Sequence, residues 1–245
     1  MTAVPVVASG EEDNTQVNQA ESADDGMPAN AAEIVERVIR ERRTRKILAE
    51  QPLEARSDRE ALNAIVASAG WAPFHRKASQ VYQDEGDLRS IVPWRCYVLD
   101  ARAARELREW MEERGEAGPM LRLLAACSAM VLVTWLPDQA PEADAPVRAD
   151  EQLFEPTLEN MEHIAAASAA VQNMLLSATA RGYRTFWSTA KPLRAPESLG
   201  HLGIPLREVL LGAIHLAAPD VEGSDEKHGS HGSRRGEPGD WMRWL

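Results

Sequence analysis

Cysteine is scarce: Cys96 and Cys127 are the only two in 245 residues, and both stand in apolar segments. Two cysteines without metal-ligand or redox spacing give neither a disulfide framework nor a cysteine-based zinc site. Buried free thiols in a reducing, cytoplasmic compartment fit them best, with a single disulfide left open. Lysine and arginine are missing from the first thirty residues, which carry six acids. That start has neither the basic head nor the apolar run of a secretory signal, and residues 1–29 are expected to be an acidic disordered extension. Long hydrophobic runs are absent as well. The longest helix candidate has 17 residues between His163 and Arg181 and includes Gln172 and Asn173, so no membrane span is expected. There is no glycine-rich phosphate loop ending in Lys-Ser/Thr, no nucleophile elbow, no His-Glu-x-x-His and no internal repeat. The six histidines are scattered. His228 and His231 sit in Gly/Ser-rich surroundings, and no metal is expected.

The net charge is −11. It argues against general nucleic-acid binding. Yet five of the seven residues from Arg40 to Lys46, in "RVIRERRTRKIL", are basic. Asn30 to Glu33, "NAAE", reads as a capping box, and Ile34, Val35, Val38 and Ile39 follow as an apolar helical stripe. The basic cluster then falls late in this first helix. A solvated helix end stabilised by its dipole is one reading, and anion binding by guanidinium forks and the Thr44 hydroxyl is the other.

Further along, "SDRE" (Ser57 to Glu60) repeats the capping signal and starts a helix stopped by Gly70 and Pro73. Val92–Leu99 reads as a strand, Arg102–Glu113 as an amphipathic helix, and Leu121–Ala126 as the end of another. Ala129–Leu136 reads as a buried strand, and the acid- and proline-rich 139–156 as a loop or lid. A helix from Glu159 to Arg181 follows, about 34 Å long at the usual rise. Its small and apolar residues cover nearly every face, so it packs centrally or against a partner subunit. Thr185–Trp187 and Glu208–Leu216 read as strands. The fold class is α+β: a modest sheet flanked by helices.

Three stretches are candidates for chemistry. "RRTRK" is the first. "SAGWAPFHRK", continued after a polar stretch by "VPWRCYVLD", is the second. "ARGYRTFWSTA" is the third; there a buried helix passes through Gly182 to a strand rimmed by Trp, Ser and Thr that can stack a flat ring.

Taken in order, these pieces resemble the nitroreductase superfamily of FMN-dependent oxidoreductases, over roughly Asn30 to Leu245. Arg42, Arg43, Thr44 and Lys46 match that family's Arg-Arg-Ser-x-Arg/Lys, and "APFHRK" with Pro93 and Trp94 matches its Ala-Pro-Ser…Pro-Trp stretch. "VQNMLLSATARGYRTFW", "LGIPLREVLLGAIHLAAP" and "RRGEPGDWMRW" are similar to its later segments. Sixteen residues, Lys77 to Val92, separate "PFHR" from Pro93. The usual Asn and Gln of that stretch are not recognisable.

The resemblance implies a three-layer α/β/α fold with a mostly antiparallel central sheet in residues 30–245. It also implies an insertion around 77–92 and an extended C-terminal segment 219–245. Arg42, Arg43 and Thr44, helped by Arg234 or Arg235, would hold the FMN phosphate, and Lys46 would lie nearer the ring. His75 and Arg76 would border the ribityl chain and ring edge, and Thr185, Phe186, Trp187 and Ser188 the isoalloxazine. Trp71 and Trp94 would be pocket aromatics, each equally suited to packing. The implied assembly is a homodimer with FMN at the interface. The implied reaction is a ping-pong reduction of a quinone, nitroaromatic or similar planar acceptor by NADH or NADPH, with flavin N5 carrying the chemistry. The alternatives are a specialised enzyme of the same fold (flavin fragmentation, reductive dehalogenation or substrate dehydrogenation) and a non-catalytic flavin-binding dimer.

Overall fold

The computed structural model describes residues 27–54, 57–84, 88–138, 154–222 and 225–245. Most of the acidic extension, most of the 139–156 loop and residues 85–87 of the insertion lie outside the described residues. Helix α1 (Ala31–Glu41) runs into strand β1 (Arg45–Leu48), and helix α2 (Arg59–Ala67) continues as a 3-10 turn over Ser68–Trp71. A one-turn helix α3 (Val81–Asp84) precedes strand β2 (Trp94–Asp100), helices α4 (Ala101–Glu113) and α5 (Pro119–Ala126), and strand β3 (Ala129–Trp135). The long helix α6 (Leu158–Ala180) leads to strand β4 (Arg184–Ser188), helix α7 (Pro196–His201), strand β5 (Val209–Ala217) and strand β6 (Asp225–His228). No helix among the described residues is long and apolar enough to cross a membrane.

The main sheet has the order β2-β3-β5-β4, antiparallel throughout. β3 is buried along its whole length because helices cover both faces. Its side chains alternate between them. Val131, Val133 and Trp135 enter a core shared with α2 and α6, while Met130 and Leu132 enter one shared with α4 and α5. Each such aliphatic side chain contributes roughly 1.5–3 kcal/mol by leaving water. The layers are therefore helix, sheet, helix, as expected. Cys96 and Cys127 are free thiols, and burial pushes them up to about 12 and about 11.

Several local expectations are corrected. Asn30 does not cap α1: at φ −102°, ψ 16° its backbone is not extended, and its side chain makes no cap bond. At α2 the cap is Asp58, whose carboxylate accepts from the Ala61 N–H at 3.0 Å. Ser57 is occupied elsewhere, donating to the Ser128 carbonyl and accepting from the Ala101 N–H. Helix α6 is not covered on every side within one chain. Ala166, Ala167, Ala170, Val171, Met174 and Ala178 are buried, whereas Leu158 and Met161 are more than half exposed. The sheet shields only one flank of the cylinder.

The largest correction concerns the basic stretch. Helix α1 ends at Glu41, and Arg42 takes φ −59°, ψ 112°. The chain beyond it is extended, carrying Thr44 into a parallel bridge with Thr185 and then into β1. β1 pairs not with the main sheet but with β6, antiparallel, Arg45 opposite His228. Neither β1 nor β6 is anticipated by the apolar pattern.

Candidate functional site

An extended backbone sends successive side chains to opposite sides. Arg42 and Thr44 share one side, and there they line a cavity of about 380 Å³ with Ile39, Thr185, Trp187 and Arg235. Gln172 and Leu175 of α6 complete its wall. The volume falls within the range of roughly 300–1,000 Å³ typical of small-molecule sites.

Arg235 arrives from far along the chain because β6 is zipped to β1. Immediately after β6 the Gly229 N–H donates to the Thr44 carbonyl at 2.9 Å. A Cβ at Gly229 would stand 2.8 Å from the Thr44 Cβ, so only glycine allows this approach without displacing Thr44. A 3-10 turn over His231–Arg234 then delivers Arg235 to the cavity. The Arg42 guanidinium is held below its ordinary range by burial first, then by the positive charges of Arg235 and Arg43. Crowded cations beside a hydroxyl form a seat that a multiply charged anion would relieve. The residues present thus fit the phosphate end of a mononucleotide cofactor.

Strand β4 presents different residues to its two faces. Thr185 is buried, and Trp187 remains 42% exposed at the cavity rim. The Trp187 indole lies over Gly212 of β5, where a Cβ would meet Nε1 at 2.7 Å and the Ser188 carbonyl at 2.4 Å. Phe186 and Ser188 point to the opposite face. There Phe186 stacks on His215 at 5.8 Å, and the Ser188 hydroxyl lies 3.2 Å from His215 Nε2. Lys46 belongs to that face too, its Nζ 4.7 Å from the Phe186 ring centre. Burial alone pushes His215 down to about 4.

The remaining candidates stand apart from this cavity. Arg43 lines a different one, with Arg40, Arg45 and Arg184. Arg234 is exposed beside Arg235. His75 and Arg76 lie on the surface, where Arg76 pairs with Glu159 and Glu162 of α6 at 3.2 and 3.1 Å. Trp71 is 87% exposed, whereas Trp94 is buried, edge-on to Phe74. In this chain the Trp94 ring is core packing. Ile39, Gln172 and Leu175 were missed as lining residues because each reads as part of a helix's packing stripe. The period-two alternation of an extended chain over residues 42–45 is the signal that sorts the arginines.

A larger cavity, about 810 Å³, opens beside edge strand β2. Much of its polar floor is paired within the chain. Arg95 donates to the carbonyls of Tyr82, Ser90, Val92 and Trp94, and Glu208 accepts from the hydroxyls of Tyr97 and Thr134. Burial pushes the Glu208 carboxyl up, against those hydrogen bonds and the pull of Arg95 and Arg207.

Residues 39–217 match the model of the nitroreductase family. Among solved structures the chain is similar to a nitroreductase-like family protein from Bacillus cereus, at 21% identity and a TM-score of 0.57; the match covers 86% of this chain and 95% of that one. It is also similar to a candidate NAD(P)H:FMN oxidoreductase from Staphylococcus epidermidis, at 20% identity over 86% of this chain and 95% of that one, with a TM-score of 0.55. Both likenesses concern the fold. No curated protein matches.

Proposed function

We propose, for a chain that belongs to the nitroreductase family, that it is an FMN-dependent oxidoreductase using NADH or NADPH to reduce a quinone, nitroaromatic or similar planar acceptor. One observation carries this reading: Arg42, Thr44 and Arg235, distant in sequence, converge on one cavity whose cations crowd each other. The two guanidinium groups would neutralise the cofactor phosphate and the Thr44 hydroxyl would donate to it. Trp187 would wall the cavity with an aromatic face. Thr185, fixed by its bridge to Thr44, would hold the phosphate seat and that wall in register. Bound FMN supplies two-electron redox chemistry between a reduced pyridine nucleotide and a planar acceptor, so the protein needs no acid–base triad of its own.

We further propose that the working form is a homodimer. Ile34, Val35 and Ile39 of α1 and Leu158 and Met161 of α6 leave apolar surface exposed on two helices that touch. A second copy covering it would remove that surface from water. His75 and Arg76 lie outside the cavity of their own chain, so in the dimer they would serve the cofactor of the opposite copy.

The test is the visible spectrum of the purified protein after addition of FMN and desalting, followed by titration of Arg42→Ala and Arg43→Ala. Loss of a charge-assisted phosphate contact of about 1.5–3 kcal/mol weakens binding roughly ten- to a hundredfold. Arg42→Ala is expected to show that loss and Arg43→Ala to retain FMN. Failure of the unaltered protein to bind FMN in titration would overturn the cofactor assignment, and with it the reaction. Oxidation of NADH or NADPH in the presence of a quinone is the accompanying assay.

A further inference from the structure

The other side of the same extended stretch is as basic as the first. Arg43 and Arg45 meet Arg40, from the last turn of α1, and Arg184, from the start of β4, around a separate cavity of about 460 Å³. Four guanidinium groups on one cavity is a steep local reversal in a chain of net charge −11. We propose that this cavity is a second anion site, taking inorganic phosphate or a phosphomonoester group.

The carboxylates nearby temper this charge without consuming it. Glu41 lines the cavity, and Glu36 pairs with Arg40 one turn away on α1. Glu226 of β6 faces Arg45 at 3.6 Å and Arg184 at 3.8 Å, with His228 at 3.4 Å. Both arginine distances exceed hydrogen-bond length, so one carboxylate shields two forks and saturates neither. One fork is also held in place. Arg184 donates through Nη2 to the carbonyls of Ala218 and Val221 at 2.9 Å each, and its Nε is buried without a partner among the described residues. The β1–β6 ladder fixes the Arg45 backbone opposite His228, and its guanidinium meets Glu226 at 3.6 Å. Arg43 is lightly committed, with one bond from Nη1 to the Arg42 carbonyl. One anchored guanidinium group, on Arg184, beside two adaptable ones, on Arg43 and Arg45, suits the planar, bidentate contacts a phosphate accepts.

The bland alternative is that these arginines serve the carbonyl end of α6, which closes nearby at Ala180. That end has its own cation: Arg181 donates to the Ser177 carbonyl at 3.0 Å. The four arginines of the cavity are therefore surplus to that need.

Two sources share this chemistry: free phosphate, and the extra phosphomonoester that distinguishes NADPH from NADH. The experiment is calorimetric titration of the full-length protein, saturated with FMN, with inorganic phosphate at low ionic strength. The Arg43→Ala/Arg45→Ala double variant should bind phosphate at least tenfold more weakly, and Glu226→Gln severalfold more tightly, both retaining FMN. Titration with NADPH and NADH then separates the sources. A selective loss of NADPH affinity in the double variant assigns the phosphomonoester. Equal, unaltered dinucleotide affinities assign free phosphate. Phosphate affinity unchanged in both variants would overturn the proposal. So would a loss seen only in Arg42→Ala, because the anion would then occupy the first cavity. Phosphate binding is read directly, so the site stands or falls independently of the flavin reading: if FMN does not bind, the same titrations are run without it, in an Arg42→Ala background.

Discussion

His215 should make this protein acid-sensitive over a defined range. Its ring is buried between β4 and β5, with Nε2 near the Ser188 hydroxyl and Nδ1 without a partner among the described residues. Protonation leaves an N–H at Nδ1 with nothing to accept it, and desolvation holds the imidazole near 4 against an ordinary value of 6.5. The sign follows from which state takes the proton first. As pH falls below 6.5 the unfolded chain protonates and the folded one does not, so stability drains through that range and stops changing below about 4. At about 1.4 kcal/mol per pH unit the full loss is about 3 kcal/mol. Between about pH 7.5 and about pH 5 it is about 2 kcal/mol, a large share of the 5–15 kcal/mol that holds an ordinary domain together.

Urea unfolding of the wild type and His215→Gln across that range isolates the effect, because other titrating groups cancel in the difference. The variant is expected to be less stable near neutrality, since it disturbs the stack on Phe186. The gap should then shrink by about 2 kcal/mol on acidification. A gap constant to within about 0.5 kcal/mol would refute the reasoning, as would an imidazole that titrates near 6.5 in the folded protein.

Two other substitutions test how the sheet and the segments packed on it are held. Gly212→Ala puts a methyl group 2.4 Å from the Ser188 carbonyl, a backbone atom that cannot rotate away. It should cost about 1–3 kcal/mol and loosen β4, read as a lower urea midpoint and weaker FMN retention; an unchanged midpoint would mean β4 has slack the packing does not show. Arg95→Met removes the donor to the Trp94 carbonyl and to those of Tyr82, Ser90 and Val92, three that hold the 77–92 insertion against the sheet. A loss of about 3 kcal/mol is expected, with faster proteolysis near Ser90. Wild-type proteolysis would assign those carbonyls other partners.

Much of the architecture was legible because burial writes itself into pattern. β3 and β5 are apolar runs, α4 has a clean stripe, and α6 carries small residues where the sheet comes close. What escaped has no such signature. β6 is "DEKH", exposed at every position, and exists only because its backbone pairs with β1. β1 hides inside a basic run that continues a helix by composition and leaves it by geometry. Ser57 satisfied the capping pattern but was drawn into a bridge between Ser128 and Ala101, contacts seventy-one and forty-four residues away that no local window can see. The site divided along the same line. Arg42, Thr44 and Arg235 were named from the resemblance, while Lys46, Phe186 and Ser188 lie on the other face of β4.

The division of the arginines follows from period, not composition. On a helix, Arg42, Arg43 and Lys46 would sit within one broad face, and a single anion would collect all three. In extended chain neighbours must part: Arg42 and Thr44 go to one cavity and Arg43 and Arg45 to the other, while Lys46 lies against Phe186. One basic stretch can then serve two anions without either competing for the other's donors. Single alanine substitutions at Arg42 and Arg43 therefore report on backbone geometry as well as on ligand. If both weaken FMN equally, the two guanidinium groups reach one phosphate and the chain there is not extended when the cofactor is bound. If only Arg42→Ala does, the turn after Glu41 is what separates the two sites.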